Sequence, residues 1–448
     1  MQTKRQRYNE GLEDSGVVRE AYATFFEKVD ALGPVEMAAR RESAARTLAE
    51  LGATFPLPDD PERDRLLPAD WTPRIVPPEE WEELSAGLLQ RGRAINAWLS
   101  DLYGGGQEVV PEEIVASSAL YRGGPLPGGS PPVHVYGPDL VRLDSGEFAV
   151  LEDNVRVPSG VAYAEAIRRA GSRAMPELYG EYQVTGLGAY YAALRATLEA
   201  AAPPGVREPG VAVLTSGPRD PAYFEHKRIA EACAIRLLAV SELRFETGAA
   251  LAPDGRRLDV LYLRADAGEL PEELLDAYRR GNVGLANAPG AGVADDKAVF
   301  PYVPAMIERY LGEAPILANA RTLSPADPEA LAEARERLPE LVIKPREGYG
   351  GRGVLVCPEA PEPEIRRAWS AVEADPLGYV VQECLDFSRH MMDDPADERY
   401  VDLRAFVLPA LGYVLPGGLT RVAPPESRVV NSSAGGSFKD TWVLEELW

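Results

Sequence analysis

Glu152 and Asn154 are the residues that first suggest chemistry, because an acid and an amide stand two positions apart at the end of an apolar run. The stretch Val150–Gly160 is VLEDNVRVPSG, in which a proline and a glycine soon follow the run. Side chains alternate between the two faces of a strand. Glu152 and Asn154 are therefore predicted to share one face, with Asp153 on the other.

These residues are predicted to form one strand of a β-hairpin whose loop consists of Ser145 and Gly146. Pairing outward from a two-residue loop sets Asp139 directly opposite Glu152, where paired side chains share a face within about 5 Å. Two facing carboxylates repel, and a hard divalent cation such as Mg²⁺ would compensate them. Asp139, Glu152 and the amide oxygen of Asn154 are thus candidate Mg²⁺ ligands. The alternative is a solvated hairpin end with ordinary acidic residues.

A glycine-rich loop joins two apolar strands in the stretch LVIKPREGYGGRGVLV. Lys344 ends the first strand and would bring a positive charge to phosphate groups, while glycines let backbone amides approach phosphate oxygens. No GK[ST] follows and the next element is a predicted strand, so this is neither a Walker A loop nor a dinucleotide-binding fingerprint. The alternative is a glycine-rich hairpin turn. The glycines concerned are Gly348, Gly350, Gly351 and Gly353.

Further charged residues stand where a bound anion would explain them. Arg404 and Arg421 lie within apolar strands, and a buried arginine requires either a carboxylate partner or a bound anion. Lys297 follows Asp295 and Asp296 at a predicted helix start, where either aspartate is a candidate cap and the lysine a candidate phosphate contact. Glu383 ends the apolar strand YVVQECL, which is either an ordinary buried strand or one wall of an adenine pocket.

Glu225 and His226 begin a predicted helix that follows a strand and a glycine-containing loop, in the stretch AYFEHKRIA. Ligands bind at the carboxyl ends of strands in parallel sheets, so both side chains are candidate substrate contacts. The alternative is a capping or packing role.

Charge and composition exclude several classes of protein. The chain has 448 residues, which predicts about two to three domains, and its 45% apolar and 26% charged residues are typical of a globular protein. Lys and Arg number 47 against 70 Asp and Glu, a net charge of −23. This charge argues against a general binder of nucleic acid or of anionic membranes, but it leaves room for a small anionic substrate in a local basic cleft.

The cysteines and the apolar runs bear on the cellular compartment. Three cysteines without CxxC spacing argue against a zinc site or a disulfide framework and favour a reducing cytoplasm. The N-terminus has no apolar segment of the signal-peptide kind, and no apolar run is long enough to cross a membrane. We therefore expect a cytoplasmic location without a membrane span.

Four segments are predicted along the chain, with an α+β fold overall. Residues 1–115 are mainly helical, and the helix EEWEELSAGLLQRGRAINAWLSDLYGGG is expected to end at Gly104–Gly106. Residues 116–205 contain the candidate metal hairpin. Residues 206–300 carry a βαβ unit and so a parallel sheet. Residues 301–448 carry the glycine-rich loop and several strands.

Together these stretches resemble the circularly permuted ATP-grasp type 2 family, which includes proteins similar to glutathionylspermidine synthase and to carboxylate–amine ligases. Glu152 and Asn154, followed by Pro158 and by Ser159–Gly160, are similar to its metal-binding segment. In most ATP-grasp enzymes that segment follows the lysine and glycine-rich loop, whereas here it precedes Lys344. The resemblance runs from about residue 75 to residue 444.

The resemblance implies a circularly permuted ATP-grasp fold in which ATP lies between two α+β subdomains, with a helical N-terminal region and a βαβ domain of the pre-ATP-grasp kind. It implies ATP and Mg²⁺ as cofactors, and an ATP-dependent ligase that joins a carboxylate to an amine through an acyl phosphate. Small-molecule or peptide carboxylates and amines are the expected partners, and a homo-oligomer is possible. The alternatives are an ATP-grasp phosphotransferase and a catalytically inactive nucleotide-binding partner subunit.

The resemblance, with the candidate contacts above, assigns a role to each residue in turn. The roles are ATP binding for Lys297, Lys344, Gly348, Gly350, Gly351, Gly353, Gln382 and Glu383, metal binding for Asp139, Glu152 and Asn154, catalysis for Arg404 and Arg421, and substrate contact for Arg156, Ser159, Glu225, His226 and Asn431.

Overall fold

Helices and strands interleave along the whole chain, which confirms the predicted α+β class. A computed structural model describes residues 8–13, 15–57, 60–123, 130–348, 352–394, 396–425, 427–430 and 436–445, with side chains outside residues 55–64. Three of the predicted site residues, Gly350, Gly351 and Asn431, lie outside the described residues. Among the described helices, none is both long enough and apolar enough to cross a membrane.

The described helices are α1 (Glu20–Leu51), α2 (Pro78–Gly104), α3 (Glu112–Ala116), α4 (Val161–Ala174), α5 (Pro176–Tyr182), α6 (Ala189–Ala200), α7 (Tyr223–Ala232), α8 (Glu272–Arg279), α9 (Val303–Met306), α10 (Pro328–Glu336) and α11 (Glu362–Ala374). The described strands are β1 (Thr54–Leu57), β2 (Asp60–Leu66), β3 (Arg74–Val76), β4 (Asp139–Arg142), β5 (Phe148–Glu152), β6 (Val211–Thr215), β7 (Arg236–Ala239), β8 (Arg244–Glu246), β9 (Ala249–Leu251), β10 (Arg257–Leu258), β11 (Val260–Leu263), β12 (Gly284–Ala286), β13 (Ala318–Asn319), β14 (Thr322–Leu323), β15 (Leu341–Pro345), β16 (Leu355–Val356), β17 (Tyr379–Glu383), β18 (Arg389–Met391), β19 (Glu398–Arg404), β20 (Val407–Leu408), β21 (Tyr413–Val414), β22 (Leu419–Val422) and β23 (Ser437–Val443).

The largest sheet has the strand order β13-β5-β4-β19-β22-β23-β3, and β18 also pairs with β19. Strands that are distant in sequence are neighbours here, since β4 pairs with β19 and β23 pairs with β3. The register sets Arg404 opposite Asp139 and Arg421 opposite Asp402. Because paired residues share a face, as do residues two apart on one strand, these four charged side chains lie on the same face of the sheet.

A second sheet, β12-β11-β6-β7, is parallel throughout. Helix α7 connects β6 to β7, which confirms the βαβ unit predicted within residues 206–300. All five residues of β6 are buried, as expected of a strand covered on both faces. The loops that follow β6, β11 and β12 meet at one edge because parallel strands share their direction.

A third sheet, β14-β17-β15-β16, is antiparallel and carries the glycine-rich stretch. Its strands β15 and β16 pair with each other, which confirms the predicted strand, loop and strand. Leu341 and Ile343 of β15 pack in one apolar cluster with Trp369 of α11 and Ala334 of α10. Lys344 follows Ile343 on β15, so its side chain lies on the opposite face of the strand from this apolar cluster.

The strands of the largest sheet come from three of the four predicted segments, 1–115, 116–205 and 301–448. The division into four domains therefore stays a prediction, although the helical character of the first segment is seen in α1, α2 and α3. Helix α2 ends at Gly104, and Gly105 follows in the left-handed conformation with φ of +84°. The predicted helix end is thus confirmed.

Glu10 is a buried contact between the N-terminal segment and the largest sheet. Its carboxylate accepts two hydrogen bonds from Arg74 on β3, at 2.7 Å from Nε and 2.5 Å from Nη2. Burial raises the pKa of Glu10, but the charges of Arg74 and Arg142 outweigh burial and lower the pKa to about 2. The ionised carboxylate therefore stabilises the fold.

We expect Glu10→Gln to lower the free energy of unfolding at pH 7 by about 3 kcal/mol, because the pKa falls from 4.5 to about 2 on folding. The depressed pKa means that this stabilisation is present above pH 4.5 and is lost as the pH falls towards 2. Urea unfolding at several pH values measures both effects. The exposed Glu13 provides the control, since Glu13→Gln should unfold as the wild type does. Equal acid dependence in Glu10→Gln and wild type would contradict the assignment.

Candidate functional site

The hairpin turn between β4 and β5 contains three residues, so the two-residue loop predicted at Ser145 and Gly146 is wrong. The amide of Leu143 donates to the carbonyl of Glu147, and the amide of Gly146 donates to the carbonyl of Leu143, each at 2.8 Å. Gly146 has φ of +90°, a left-handed conformation that glycine adopts at little steric cost. A three-residue hairpin loop commonly requires this conformation at its last position.

A β-bulge compensates the additional turn residue. Leu140 pairs with Val150, one residue away from the predicted register, whereas Asp139 pairs with Glu152 as predicted. Leu151 is therefore the extra residue of β5 at an irregularity in the ladder. The predicted pairing of Asp139 with Glu152 is confirmed. It results from a turn that is one residue longer than predicted and a bulge of one residue, whose effects on the register cancel.

Asp153 points away from its two neighbours, which confirms the predicted alternation. Its side chain is 1% exposed and binds Arg91 of α2 through two hydrogen bonds, at 2.7 Å from Nε and 2.6 Å from Nη2. The hydroxyl of Tyr136 donates to the same carboxylate. Because this side of the strand end is fixed in the interior, Glu152 and Asn154 face the opposite side.

Glu152 and Asn154 line a cavity of about 710 Å³, which we name the large cavity. Asp139 and both predicted lysines, Lys297 and Lys344, line it too. The hairpin and the glycine-rich stretch, which are far apart in sequence, therefore converge on one space. The site is of the size that small ligands and cofactors occupy.

Asp139 receives its compensating charge from two arginines. Arg404 binds it with Nε and Nη2, each at 2.7 Å, and Arg421 reaches it with Nη2 at 2.8 Å. Arg421 also binds Asp402 at 2.5 Å. Burial raises the pKa of Asp139, but the two arginines lower it to about 2. The sequence left two explanations for these arginines, a carboxylate partner or a bound anion. The structure shows carboxylate partners, and both arginines line the large cavity.

The two lysines are held by acceptors that a phosphate could replace. Nζ of Lys297 lies 2.8 Å from the carboxylate of Glu152 and donates to the carbonyl of Gly348 at 3.1 Å. Nζ of Lys344 donates to the side-chain oxygen of Gln382 at 2.5 Å. Burial lowers the pKa of Lys344, against the opposing charge of Glu152. A bound polyanion would offset this cost of burial, because it stabilises the charged form.

Glu152 and Asn154 fit a magnesium ion. The side chain of Glu152 is 32% exposed, and Nδ2 of Asn154 is buried without a hydrogen-bond partner among the described residues. Turning that amide about presents its oxygen instead. The part of the chain that the structure describes holds no group of three or more His, Cys, Asp or Glu residues suited to a metal. Mg²⁺ needs only one or two protein carboxylates beside phosphates. Asp139 would have to share an oxygen with a guanidinium group, so its role as a ligand stays a prediction.

Gln382, predicted to bind ATP, and Glu383, predicted at the adenine pocket, both line the large cavity at the end of β17. The carboxylate of Glu383 is paired with Arg337 at 2.9 Å and with Arg321 at 3.4 Å. Apolar side chains beside a few polar groups suit a flat aromatic base. The apolar residues that line this cavity include Leu151, Val342, Val354, Val356, Leu385 and Phe387.

Two glycines of the glycine-rich loop lie within the described residues. Gly348 has φ of +149° and Gly353 has φ of +74°, both of which favour glycine. A Cβ on Gly353 would lie 2.8 Å from Cγ of Pro345. The glycines are thus needed for the path of the backbone, and Gly348 itself lines the large cavity.

Arg156 and Ser159, both predicted to contact substrate, have different surroundings. Arg156 lines the large cavity, where its Nε binds the carboxylate of Asp295 at 2.9 Å. The hydroxyl of Ser159 accepts a hydrogen bond from Arg264 and donates to the carbonyl of Val157 at 3.1 Å. Ser159 is not among the residues that line the large cavity, so only Arg156 is placed to meet a ligand there.

Glu225 and His226 are packed in the interior, so their contact with substrate stays a prediction. Both are buried, at 0% and 1% exposure, and neither lines the large cavity. Glu225 accepts the amide hydrogen of Gly160 at 2.7 Å and pairs with Arg264 at 3.1 Å, which holds the start of α4. Nδ1 of His226 shares a hydrogen bond with the hydroxyl of Thr215 at 2.8 Å, and burial lowers the pKa of His226 to about 2.

Several charged residues of the large cavity, among them Asp295, Asp402 and Arg428, were not predicted as ligand contacts. Asp402 stands two positions before Arg404, so strand alternation alone could have placed them on one face. Asp295 was considered only as a helix cap, and burial raises its pKa to about 6. Arg428 lines the same cavity and pairs with Glu359 at 2.7 Å, but its sequence surroundings carry no signal for this.

We expect Asp153→Asn to lower the free energy of unfolding by about 3–5 kcal/mol, because the charge of Arg91 would remain buried without its partner. Glu147→Gln is the matched control on the same hairpin, where the side chain is exposed, and it should change stability by no more than about 0.5 kcal/mol. Urea unfolding measures both variants. Equal stability of the two variants would show that the ion pair does not fix the strand end.

Comparison with known proteins finds relatives along nearly the whole chain. It is 40% identical over 460 residues to the protein named "Putative glutamate--cysteine ligase 2-3" of Frankia alni (strain DSM 45986 / CECT 9034 / ACN14a), covering 97% of this chain and 54% of that protein. It is 38% identical over 467 residues to an uncharacterized protein of Synechocystis sp. (strain ATCC 27184 / PCC 6803 / Kazusa), covering 98% of this chain and 97% of that protein. The chain thus spans about half the length of the Frankia protein.

A solved structure shares the fold. The glutathione synthetase like-effector GSS30 from Globodera pallida, in its apoform, matches with a TM-score of 0.59 and 14% sequence identity, covering 92% of this chain and 98% of that one. The profile of the circularly permuted ATP-grasp type 2 family matches residues 73–423, and the chain belongs to that family.

Proposed function

We propose that the protein is an ATP-dependent carboxylate–amine ligase that acts through an acyl phosphate with Mg²⁺. The observation that carries this proposal is the convergence of Glu152, Asn154, Lys297 and Lys344 on the large cavity. Membership of the ATP-grasp family supports ATP as the nucleotide. The names of the Frankia relatives support a reaction that joins an acid to an amine.

The residues of the large cavity have different roles, which follow from the chemistry of their side chains. Lys297 and Lys344 bind the phosphates of ATP. The phosphates replace Glu152 as the partner of Lys297 and Gln382 as the partner of Lys344, so that both of these side chains can make other contacts. Glu152 and Asn154 would hold Mg²⁺, which neutralises phosphate charge and polarises the γ-phosphoryl group. The adenine lies against the apolar wall near Glu383.

Arg404 and Arg421 are placed to stabilise the charge that develops during reaction. Both line the large cavity and are held by Asp139, so they are oriented before a ligand arrives. Fixed donors of this kind stabilise a transition state without reorganising. They therefore bind the carboxylate substrate and then the oxygens of the acyl phosphate.

The reaction proceeds in two steps. A carboxylate oxygen attacks the γ-phosphorus, its new P–O bond forms as the bond to ADP breaks, and ADP leaves with the electron pair. The amine nitrogen then attacks the carbonyl carbon, a C–N bond forms, and inorganic phosphate leaves as the C–O bond breaks. The amine gives up one proton to solvent. Phosphorylation is needed because oxide is a poor leaving group.

Glutamate is the carboxylate to test first, because the Frankia relatives are named as putative glutamate--cysteine ligases. Incubation with Mg·ATP, L-glutamate and hydroxylamine should release ADP and form a hydroxamate, since hydroxylamine traps an acyl phosphate. Amide formation with an amine in place of hydroxylamine then identifies a ligase. Phosphorylated product without any amide would favour the phosphotransferase. ATP binding without turnover across acid and amine panels would favour the inactive partner subunit.

We expect Glu152→Ala to reduce ATP turnover by at least about 100-fold while the protein stays folded, because the site loses its exposed metal-binding carboxylate. The matched control is Glu147→Ala, which removes an exposed carboxylate from the same hairpin and should leave turnover unchanged. ADP release measures turnover, and thermal unfolding confirms that both variants are folded. Full turnover in Glu152→Ala would remove the basis of the metal site.

A further inference from the structure

A second cavity of about 270 Å³, which we name the small cavity, adjoins the large one. It lies at the carboxyl end of the parallel sheet, where Ala265 follows β11 and Ala288 follows β12. This edge of a parallel sheet is where ligands bind in α/β domains. The residues that line both cavities are Leu120, Arg156, Val157 and Asp266.

The small cavity suits a small ligand. At about 270 Å³ it lies below the roughly 300–1,000 Å³ of pockets that hold drug-sized ligands. Six of its fourteen lining residues have small side chains or none, namely Ala265, Ala267, Gly268, Ala288, Gly290 and Gly292.

Charged residues of both signs line the small cavity. Arg122 lines the small cavity but not the large one, is exposed, and makes no ion pair with any described residue. Asp266 lines both cavities, and its side chain is 72% exposed and lies 4.0 Å from Nη1 of Arg156, which also lines both. The junction therefore carries a carboxylate beside a guanidinium group, and Arg122 is a further cation that does not line the large cavity.

Arg156 has a fixed position at the junction. Its side chain lies across Gly292, where an added Cβ would come within 2.7 Å of both Cγ and Cδ of Arg156. Its Nε is bound to Asp295 at 2.9 Å. The glycine and the carboxylate together set the guanidinium group between the two cavities, so a ligand in either one can reach it.

We propose that the small cavity binds the amine substrate and that this substrate is a free α-amino acid. The inference rests on the proposed function, because the amine must reach an acyl phosphate formed in the large cavity. The amine group is therefore placed at the junction beside Asp266, and the α-carboxylate is placed beside Arg122. A carboxylate at the junction and an arginine that lines only the small cavity match an amino acid better than a simple amine, which has no anionic group for that arginine to bind.

Gly268→Leu tests the site, since Gly268 is exposed and lines the small cavity, and a Cβ there meets no atom within 4 Å, so the larger side chain adds bulk to the cavity wall without a clash. Gly186→Leu is the matched control, because Gly186 is equally free of neighbours, is exposed and lines neither cavity. Titration calorimetry with L-cysteine and with L-alanine measures binding without catalysis. We expect Kd to rise at least tenfold in Gly268→Leu and to be unchanged in Gly186→Leu.

Cysteamine, which is L-cysteine without its carboxylate, tests the orientation. We expect it to bind the wild type at least tenfold more weakly than L-cysteine does, and Arg122→Ala to abolish this difference. Binding of L-cysteine that is unaltered in Gly268→Leu, or no binding of either amino acid to the wild type, overturns the proposal. So does equal binding of cysteamine and L-cysteine to the wild type.

Hydroxylamine separates this inference from the proposed function. It is small enough to reach an acyl phosphate without occupying the small cavity, so Gly268→Leu should keep hydroxamate formation within about twofold of the wild type. If the wild type forms no hydroxamate with any acid, the proposed function fails, whereas the calorimetry still decides whether the small cavity binds amino acids.

Discussion

The ion pair between Asp153 and Arg91 is the constraint on which the candidate site depends. Both side chains are 1% exposed, so neither charge could remain buried without the other. Arg91 of helix α2 thereby fixes Asp153 on the side of the strand end that faces away from the large cavity. Because side chains alternate along a strand, Glu152 and Asn154 point towards the large cavity. The carboxylate of Glu152 and the amide of Asn154 thus owe their direction to a charge pair that does not itself line the large cavity.

The charges of the large cavity are paired among its own residues. Asp139 and Asp402 hold Arg404 and Arg421, and Glu152 holds Lys297. Phosphates of a nucleotide would attract the lysines, and the carboxylate of Glu152 would then be available to hold a metal. The arginines would stay on the sheet, where the cross-strand register fixes them.

Local patterns in the sequence predicted part of this site, and long-range pairing decided the rest. Alternation placed Glu152, Asp153 and Asn154 correctly because it depends only on strand geometry. The turn length and the bulge at Leu151 were missed, since each is a one-residue effect and the two cancel at Asp139. The contact of Arg404 with Asp139 needs two strands distant in sequence to become neighbours, and no local pattern reveals that. Glu225, at the start of one helix, accepts a hydrogen bond at the start of another, α4, and the local sequence carries no signal for that long-range contact.

A crystal structure of the protein with Mg·ADP would locate the metal and the phosphates directly. We expect a magnesium ion at about 2.0–2.1 Å from an oxygen of Glu152 and from the side-chain oxygen of Asn154. We also expect the phosphates to lie between Lys297 and Lys344, with the base against the apolar wall that includes Val342. A nucleotide bound outside the large cavity, or a metal held away from Glu152 and Asn154, would show that these residues do not form the nucleotide site.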